Sequence, residues 1–135
     1  MLFLLGTNAV SDIVREQPAM VARLGLLTAD DELTTCTIVR GELLFGVEQL
    51  PPGKRRDELN QKLQAVLAGL RCEPVLEAAG EHYARAKRAC QVKGLPLDEN
   101  DLWIAATAFA SGATLVTRDA HFARIEGLRV ENWAP

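Results

Sequence analysis

The stretch Leu2-Phe3-Leu4-Leu5 is apolar at every position, and Ala113 to Thr117 is almost as uniform. A strand with one face in water alternates apolar and polar residues; an unbroken short apolar run marks a strand covered on both faces. Such strands belong to parallel sheets with helices packed on each side, because a parallel crossover needs a helix to carry the chain back. The rest of the chain supplies those helices. Thr7, Asn8 and Ser11 offer caps for a short helix through about Arg15, and Pro18 can open a second ending near Leu27. Asp30-Asp31-Glu32 is a polar break, and the Thr-rich Leu33 to Thr37 reads as a second strand. A helix is predicted from Ile38, with Glu42 in its early turns and Gly46 as a weak point.

Pro51-Pro52-Gly53 is the clearest break, and it separates two helical stretches, not two domains. Leu59, Leu63, Val66, Leu67 and Leu70 recur at helical spacing between Lys54 and Leu70. Glu73-Pro74-Val75 sits in a third strand or its exit. Glu77 to Lys93 reads as a helix with Tyr83, Ala86, Ala89 and Cys90 inward, ended by Gly94-Leu95-Pro96. Asp98 is the expected N-cap of the next helix, whose Leu102 to Ala110 is so apolar that it must be central. Gly112 closes it, Ala113 to Thr117 is the fourth strand, Ala120 to Ile125 a short helix, and Leu128 to Val130 an edge strand. The alternation predicts an α/β fold with a mainly parallel sheet of four to five strands, covered on both faces.

At 135 residues the chain is expected to be one domain with its own core. Only 5% of it is aromatic, so that core is Leu, Val, Ile and Ala. A net charge of −3 gives no global pull toward nucleic acid or an anionic membrane; a polyanion would need a local basic patch or bound cations. Cys36, Cys72 and Cys90 form no CxxC pair and read as free thiols of a reducing compartment. The apolar start is too short for a leader or a membrane span, so a soluble, cytoplasmic protein is expected. Two distant histidines support neither a zinc site nor a His-based triad, and no nucleotide-binding glycine loop is present.

In open parallel sheets, functional residues gather at the carboxyl ends of the strands. Gly6 follows the first strand and Asp119 the fourth, while Glu42 and Asp101 lie early in helices. Right-handed crossovers bring all four toward one rim of the sheet. Carboxylates gathered in a pocket repel one another unless a cation sits among them, and Mg²⁺ or Mn²⁺ suits oxygen ligands. Such ions lower the pKa of a bound water and neutralise phosphate charge, which hydrolysis of a phosphodiester requires. Each acid also has a plain structural reading: Glu42 as a solvated helix residue, Asp101 as a favourable charge at a helix start, Asp119 as a turn or cap.

Four segments together carry a family resemblance. They are Leu4-Leu5 with Thr7-Asn8 after position 6; Arg40-Gly41-Glu42-Leu43 followed by Gly46; Asn100-Asp101-Leu102-Trp103-Ile104-Ala105-Ala106; and Leu115-Val116-Thr117-Arg118-Asp119 followed by His121-Phe122. In order and spacing the chain resembles the PIN-domain ribonucleases of the VapC toxin type, over essentially its whole length. The resemblance implies a three-layer α/β/α sandwich, Mg²⁺- or Mn²⁺-dependent cleavage of RNA, a homodimer, and a neutralising VapB-like antitoxin. It also implies that Glu42, Asp101 and Asp119 are three acidic ligands and that Thr7, Asn8 and Thr117 are polar neighbours of the site. Arg40, Arg118 and His121 are the candidate contacts to RNA phosphate. The basic clusters Lys54-Arg55-Arg56 and Lys87-Arg88 read first as solvated helix faces and second as guides for RNA. Met20, Leu24 and Leu27 are either a surface for the antitoxin or core.

The fourth acid, an aspartate, is expected at position 6, where this chain has Gly6. Misplacing a reacting group by ~1 Å can cost about 10²-fold in rate, and outright loss of a ligand at least that much. Deliberate disabling, selection against an active toxin, or natural conversion to a binding module would each leave such a glycine, and the intact remaining motifs favour the first two. The chain is therefore expected to be a catalytically impaired ribonuclease. The alternative is a non-catalytic module that holds an antitoxin peptide or RNA. A phosphoacceptor regulator is disfavoured, since no aspartate follows the first strand and no lysine ends a later one.

Overall fold

In the computed structural model, which describes residues 1–135, the first apolar run is strand β1 (Leu2–Leu5), followed by helices α1 (Thr7–Val14) and α2 (Pro18–Leu24). Strand β2 (Glu32–Cys36) leads into α3 (Thr37–Glu48) and α4 (Lys54–Ala68), and strand β3 (Arg71–Glu73) into α5 (Ala79–Lys93) and α6 (Glu99–Ser111). Strand β4 (Thr114–Val116), a 3₁₀ turn (Ala120–Arg124) and strand β5 (Val130–Glu131) complete the chain. The five strands are all parallel, in the order β3-β2-β1-β4-β5. β1 is thus central, as its apolar run requires: Phe3, Leu4 and Leu5 are all buried. The right-handed sense of parallel crossovers puts α1 to α4 over one face and α5 and α6 over the other. Contacts of α1 with α3 and α4, and of α5 with α6, agree with this three-layer α/β/α arrangement.

The Thr-rich second strand is buried because its hydroxyls are satisfied within the sheet. Thr34 Oγ1 donates to the Phe3 carbonyl at 3.0 Å and Thr35 Oγ1 to the Leu5 carbonyl at 3.1 Å. Helix α6 is central, with Leu102, Ile104, Ala105, Ala106, Thr107 and Ala108 buried. Asp98 caps its start by accepting from the Asn100 amide, and Gly112 ends it in the left-handed region at φ 69°. No helix is long and apolar enough to cross a membrane. Cys36 and Cys90 are buried and Cys72 is exposed, all as free thiols; burial pushes the Cys36 thiol up to about 11.

Several local expectations shift. Helix α2 stops at Leu24 because Gly25 takes over as C-cap. Helix α1 is capped by Gly6, whose carbonyl accepts from the Val10 amide, and no side chain caps it. Gly46 does not interrupt α3. Ala89 is exposed, because the inner stripe of α5 runs through Ala79, Tyr83, Ala86 and Cys90. Met20 is buried, and Leu24 and Leu27 pack against the same core, so these three form no free docking surface.

Candidate functional site

The sheet order reverses direction at β1: the chain moves one way to β2 and β3, then returns to the other side of β1 to form β4. Loops leaving the carboxyl ends of two such neighbours diverge to opposite faces and open a crevice between them. Gly6 leaves β1 there, and Thr117, Arg118 and Asp119 leave β4. Helix α3 starts directly off β2, which brings Glu42 in from one side. Helix α6 must run back toward the start of β4, so its first turn, with Asp101, lies at the same rim. The result is a pocket of about 340 Å³ whose lining includes Gly6, Thr7, Asn8, Glu42, Asp101, Thr117, Arg118 and Asp119.

Most of these groups are held by one another. Thr7 Oγ1 donates to Glu42 Oε1 at 2.6 Å, and Asn100 Nδ2 donates to Glu42 Oε2 at 3.4 Å. Thr117 Oγ1 accepts from the Asp119 amide at 3.0 Å and donates to Asn8 Oδ1 at 3.5 Å. Asn8 Oδ1 also accepts from the Arg118 amide at 3.4 Å, which ties α1 to the exit of β4. Asp119 Oδ1 accepts from the His121 amide at 2.9 Å, and so caps the 3₁₀ turn.

Asp101 differs from the other two acids, having no side-chain hydrogen bond. Its carboxyl is pushed up to about 6, first by burial and then by the negative charges of Asp98, Asp119 and Glu42, with His121 acting weakly in the opposite sense. An oxygen-only donor set with this mutual repulsion is of the kind a hard divalent cation relieves. The number of donors falls short. No three His, Cys, Asp or Glu side chains stand together so as to hold an ion. Glu42 and Asp119 are engaged in protein hydrogen bonds, and position 6 contributes no carboxylate.

The backbone does not demand glycine at position 6. Gly6 has φ −73° and ψ 176°, an extended conformation open to any L-residue. A Cβ built there would lie 3.2 Å from the Val116 carbonyl oxygen and 3.7 Å from Thr117 Cβ. The first contact asks β4 to yield by a few tenths of an ångström, and the side chain would sit in the wall of the acidic pocket.

A comparison with known proteins decides the family: residues 3–128 match the PIN domain. The chain belongs to the PIN-domain family. Among curated PIN-domain relatives, ribonuclease VapC2 of Rickettsia felis is 31% identical over 135 residues, covering 98% of each chain. Plasmid stability protein StbB of Pseudomonas syringae pv. tomato is 33% identical over 135 residues, covering 97% of each. The solved structure of VapBC2 from Rickettsia felis bound to a DNA fragment from their promoter superposes with a TM-score of 0.89 at 31% identity, covering 98% of this chain and 99% of that one. The first of these is a VapC ribonuclease and the third a VapBC complex.

Within this PIN domain two candidates lie outside the pocket. Arg40 does not line it: two residues before Glu42 on a helix, it points roughly 200° away around the axis. His121 stays at the rim, exposed, with Nδ1 3.4 Å from Asp119 Oδ1. Arg118 does line the pocket, and its guanidinium is held by Asp12, at 3.1 Å from Nε to Oδ2. Asp12 was missed by sequence reasoning, as were Ser11 and Arg15, which also line the pocket. Asp12 is only 4% exposed and also accepts from Arg15 at 2.8 Å. The only signal for it in the chain is its four-residue step from Asn8 on one helix.

Proposed function

We propose that the chain is the toxin half of a toxin–antitoxin pair, built as a divalent-metal-dependent endoribonuclease and impaired by glycine at position 6. The observation that carries this reading is the shared pocket: Gly6 lines it together with Glu42, Asp101 and Asp119. Asp101 lies there without a side-chain hydrogen bond, its carboxyl raised first by burial and then by the neighbouring acids. In a Gly6→Asp protein, the added carboxylate would join Glu42, Asp101 and Asp119 in holding Mg²⁺ or Mn²⁺. A bound ion would acidify a water and neutralise the scissile phosphate. Thr7 orients Glu42, and the Asn8–Thr117 pair fixes the loop that carries Asp119. The partner is an antitoxin of the VapB kind, supported by the VapBC and FitAB complexes among the structural neighbours. The protein is read as a single cytoplasmic domain that acts as a homodimer.

The test is Gly6→Asp. With Mg²⁺ or Mn²⁺, the substituted protein is expected to cleave single-stranded RNA at least about 100-fold faster than the chain as it stands, and to stop when EDTA is added. Equal cleavage by both proteins would remove the impairment. The second reading is a binding module without chemistry, in which the engaged Glu42 and Asp119 stay in their protein hydrogen bonds. It predicts that Gly6→Asp stays inactive in either metal.

A further inference from the structure

Asp12 is the one charged side chain in the buried interior; every other buried polar side chain is a threonine. A carboxylate leaves water only where its partners offset the loss. Both of its oxygens are occupied. Oδ2 accepts from Arg118 Nε at 3.1 Å, and Oδ1 accepts from Arg118 Nη2 at 3.5 Å and from Arg15 Nη2 at 2.8 Å. The two arginines tie different things. Arg15 is the C-cap of the same helix, so its bond is local. Arg118 leaves β4 between Thr117 and Asp119, and its amide is gripped by α1 as well: Asn8 Oδ1 accepts from it at 3.4 Å. Asn8 and Asp12 are four apart in sequence and so share one face of α1. Residue 118 is thus held by its backbone and by its side chain. Within residues 118–121 these are the only hydrogen bonds to another element; Asp119 itself bonds only to Thr117, His121 and Phe122.

We infer that Asp12 is a positioning residue: by clamping Arg118 to α1, it sets where Asp119 stands in the acidic pocket. Arg118 then belongs to the scaffold as a strut between α1 and the β4 exit. The inference rests on the proposed function for what Asp119 does in the pocket; the clamp itself does not. A merely structural Asp12 would stabilise the fold as a whole and leave the pocket's affinity for a cation to its remaining charges.

Two measurements test this. In the Gly6 chain without divalent ions, Asp12→Asn and Arg118→Gln are each expected to lower the NMR backbone order parameters of Arg118 and Asp119 from about 0.85 to about 0.6 or below. Those of α5, on the other face of the sheet, should hold. Arg15→Gln frees the same carboxylate from its local partner and should leave residues 118 and 119 rigid. In the Gly6→Asp protein, Mn²⁺ binding is followed by the electron paramagnetic resonance of the free ion. There Arg118→Gln is expected to weaken binding about 10- to 100-fold. The sign is decisive: taking a positive charge from the pocket wall would by its field alone tighten a cation, so a loss reports a displaced ligand. Asp12→Asn should give a similar loss, and the two together no more than either alone, because both cut one strut. Equal or tighter Mn²⁺ binding with Arg118→Gln, unchanged order at residues 118 and 119, or equal loosening of α5 would overturn the clamp. If Gly6→Asp itself binds no Mn²⁺ and cuts no RNA, the nuclease reading fails, and the order parameters decide the clamp by themselves.

Discussion

Glu99 and Asp101 lie two residues apart in the first turn of α6, near the same helix dipole, yet their surroundings are opposite. Glu99 accepts short hydrogen bonds from Lys87 Nζ and from Tyr83 Oη, and these hold its carboxyl below the usual range. Tyr83 in turn stacks on Trp103 with ring centroids 4.0 Å apart. Asp101 makes no side-chain hydrogen bond, and burial first, then the negative charges of Asp98, Asp119 and Glu42, push it up to about 6. One side of the turn is electrostatically finished and the other is not. A helix start explains a carboxylate at either position; only the unfinished side calls for something from outside the chain.

The sharpest way to break this contrast is in the Gly6→Asp protein. There Asp101→Asn is expected to lower RNA cleavage at least about 100-fold, while Glu99→Gln leaves it unchanged. Similar losses from both would mean that the turn matters as scaffold and that Asp101 holds no ligand. A smaller effect should appear in the Gly6 chain itself without divalent ions. Asp101→Asn is expected to stabilise it at pH 7 by about 1 kcal/mol, allowing for solvent screening of a half-exposed group. The sign follows from the raised value. Folding favours protonated Asp101, so its penalty is absent below about pH 4, grows as pH rises, and is complete above about 6. The difference in stability between parent and Asp101→Asn should open over that window in urea titrations. The smallest effect is on the finished side. Glu99→Gln should lower Tm slightly, with the opposite pH sense: its contribution is present above the ordinary carboxylate range and lost on acidification through the lowered value. High salt should erase it.

What could be read in the chain beforehand followed the range of the interactions. Asp98 as a cap and Gly94 and Gly112 as helix ends were legible because cap chemistry is local. The central strands were legible because burial on both faces leaves an unbroken apolar run. Glu42, Asp101 and Asp119 could be grouped, since sheet topology alone carries them to one rim. Asp12 could not, because its partner Arg118 is 106 residues away and nothing near Asp12 announces it. Arg40 was selected for proximity in sequence to Glu42, which a helix turns into distance. The caps assigned to Thr7 and Asn8 misjudged a competition: those side chains serve Glu42 and the β4 loop, and the helix start falls to a residue with no side chain.

The glycine at that helix start has an evolutionary edge. The chain passes through position 6 in a conformation any L-amino acid accepts, so the backbone there admits an aspartate once β4 yields by a few tenths of an ångström. On the proposed function, harmlessness here is stored in one side chain and nowhere in the scaffold, so a population carrying this protein stands a single substitution from a working poison.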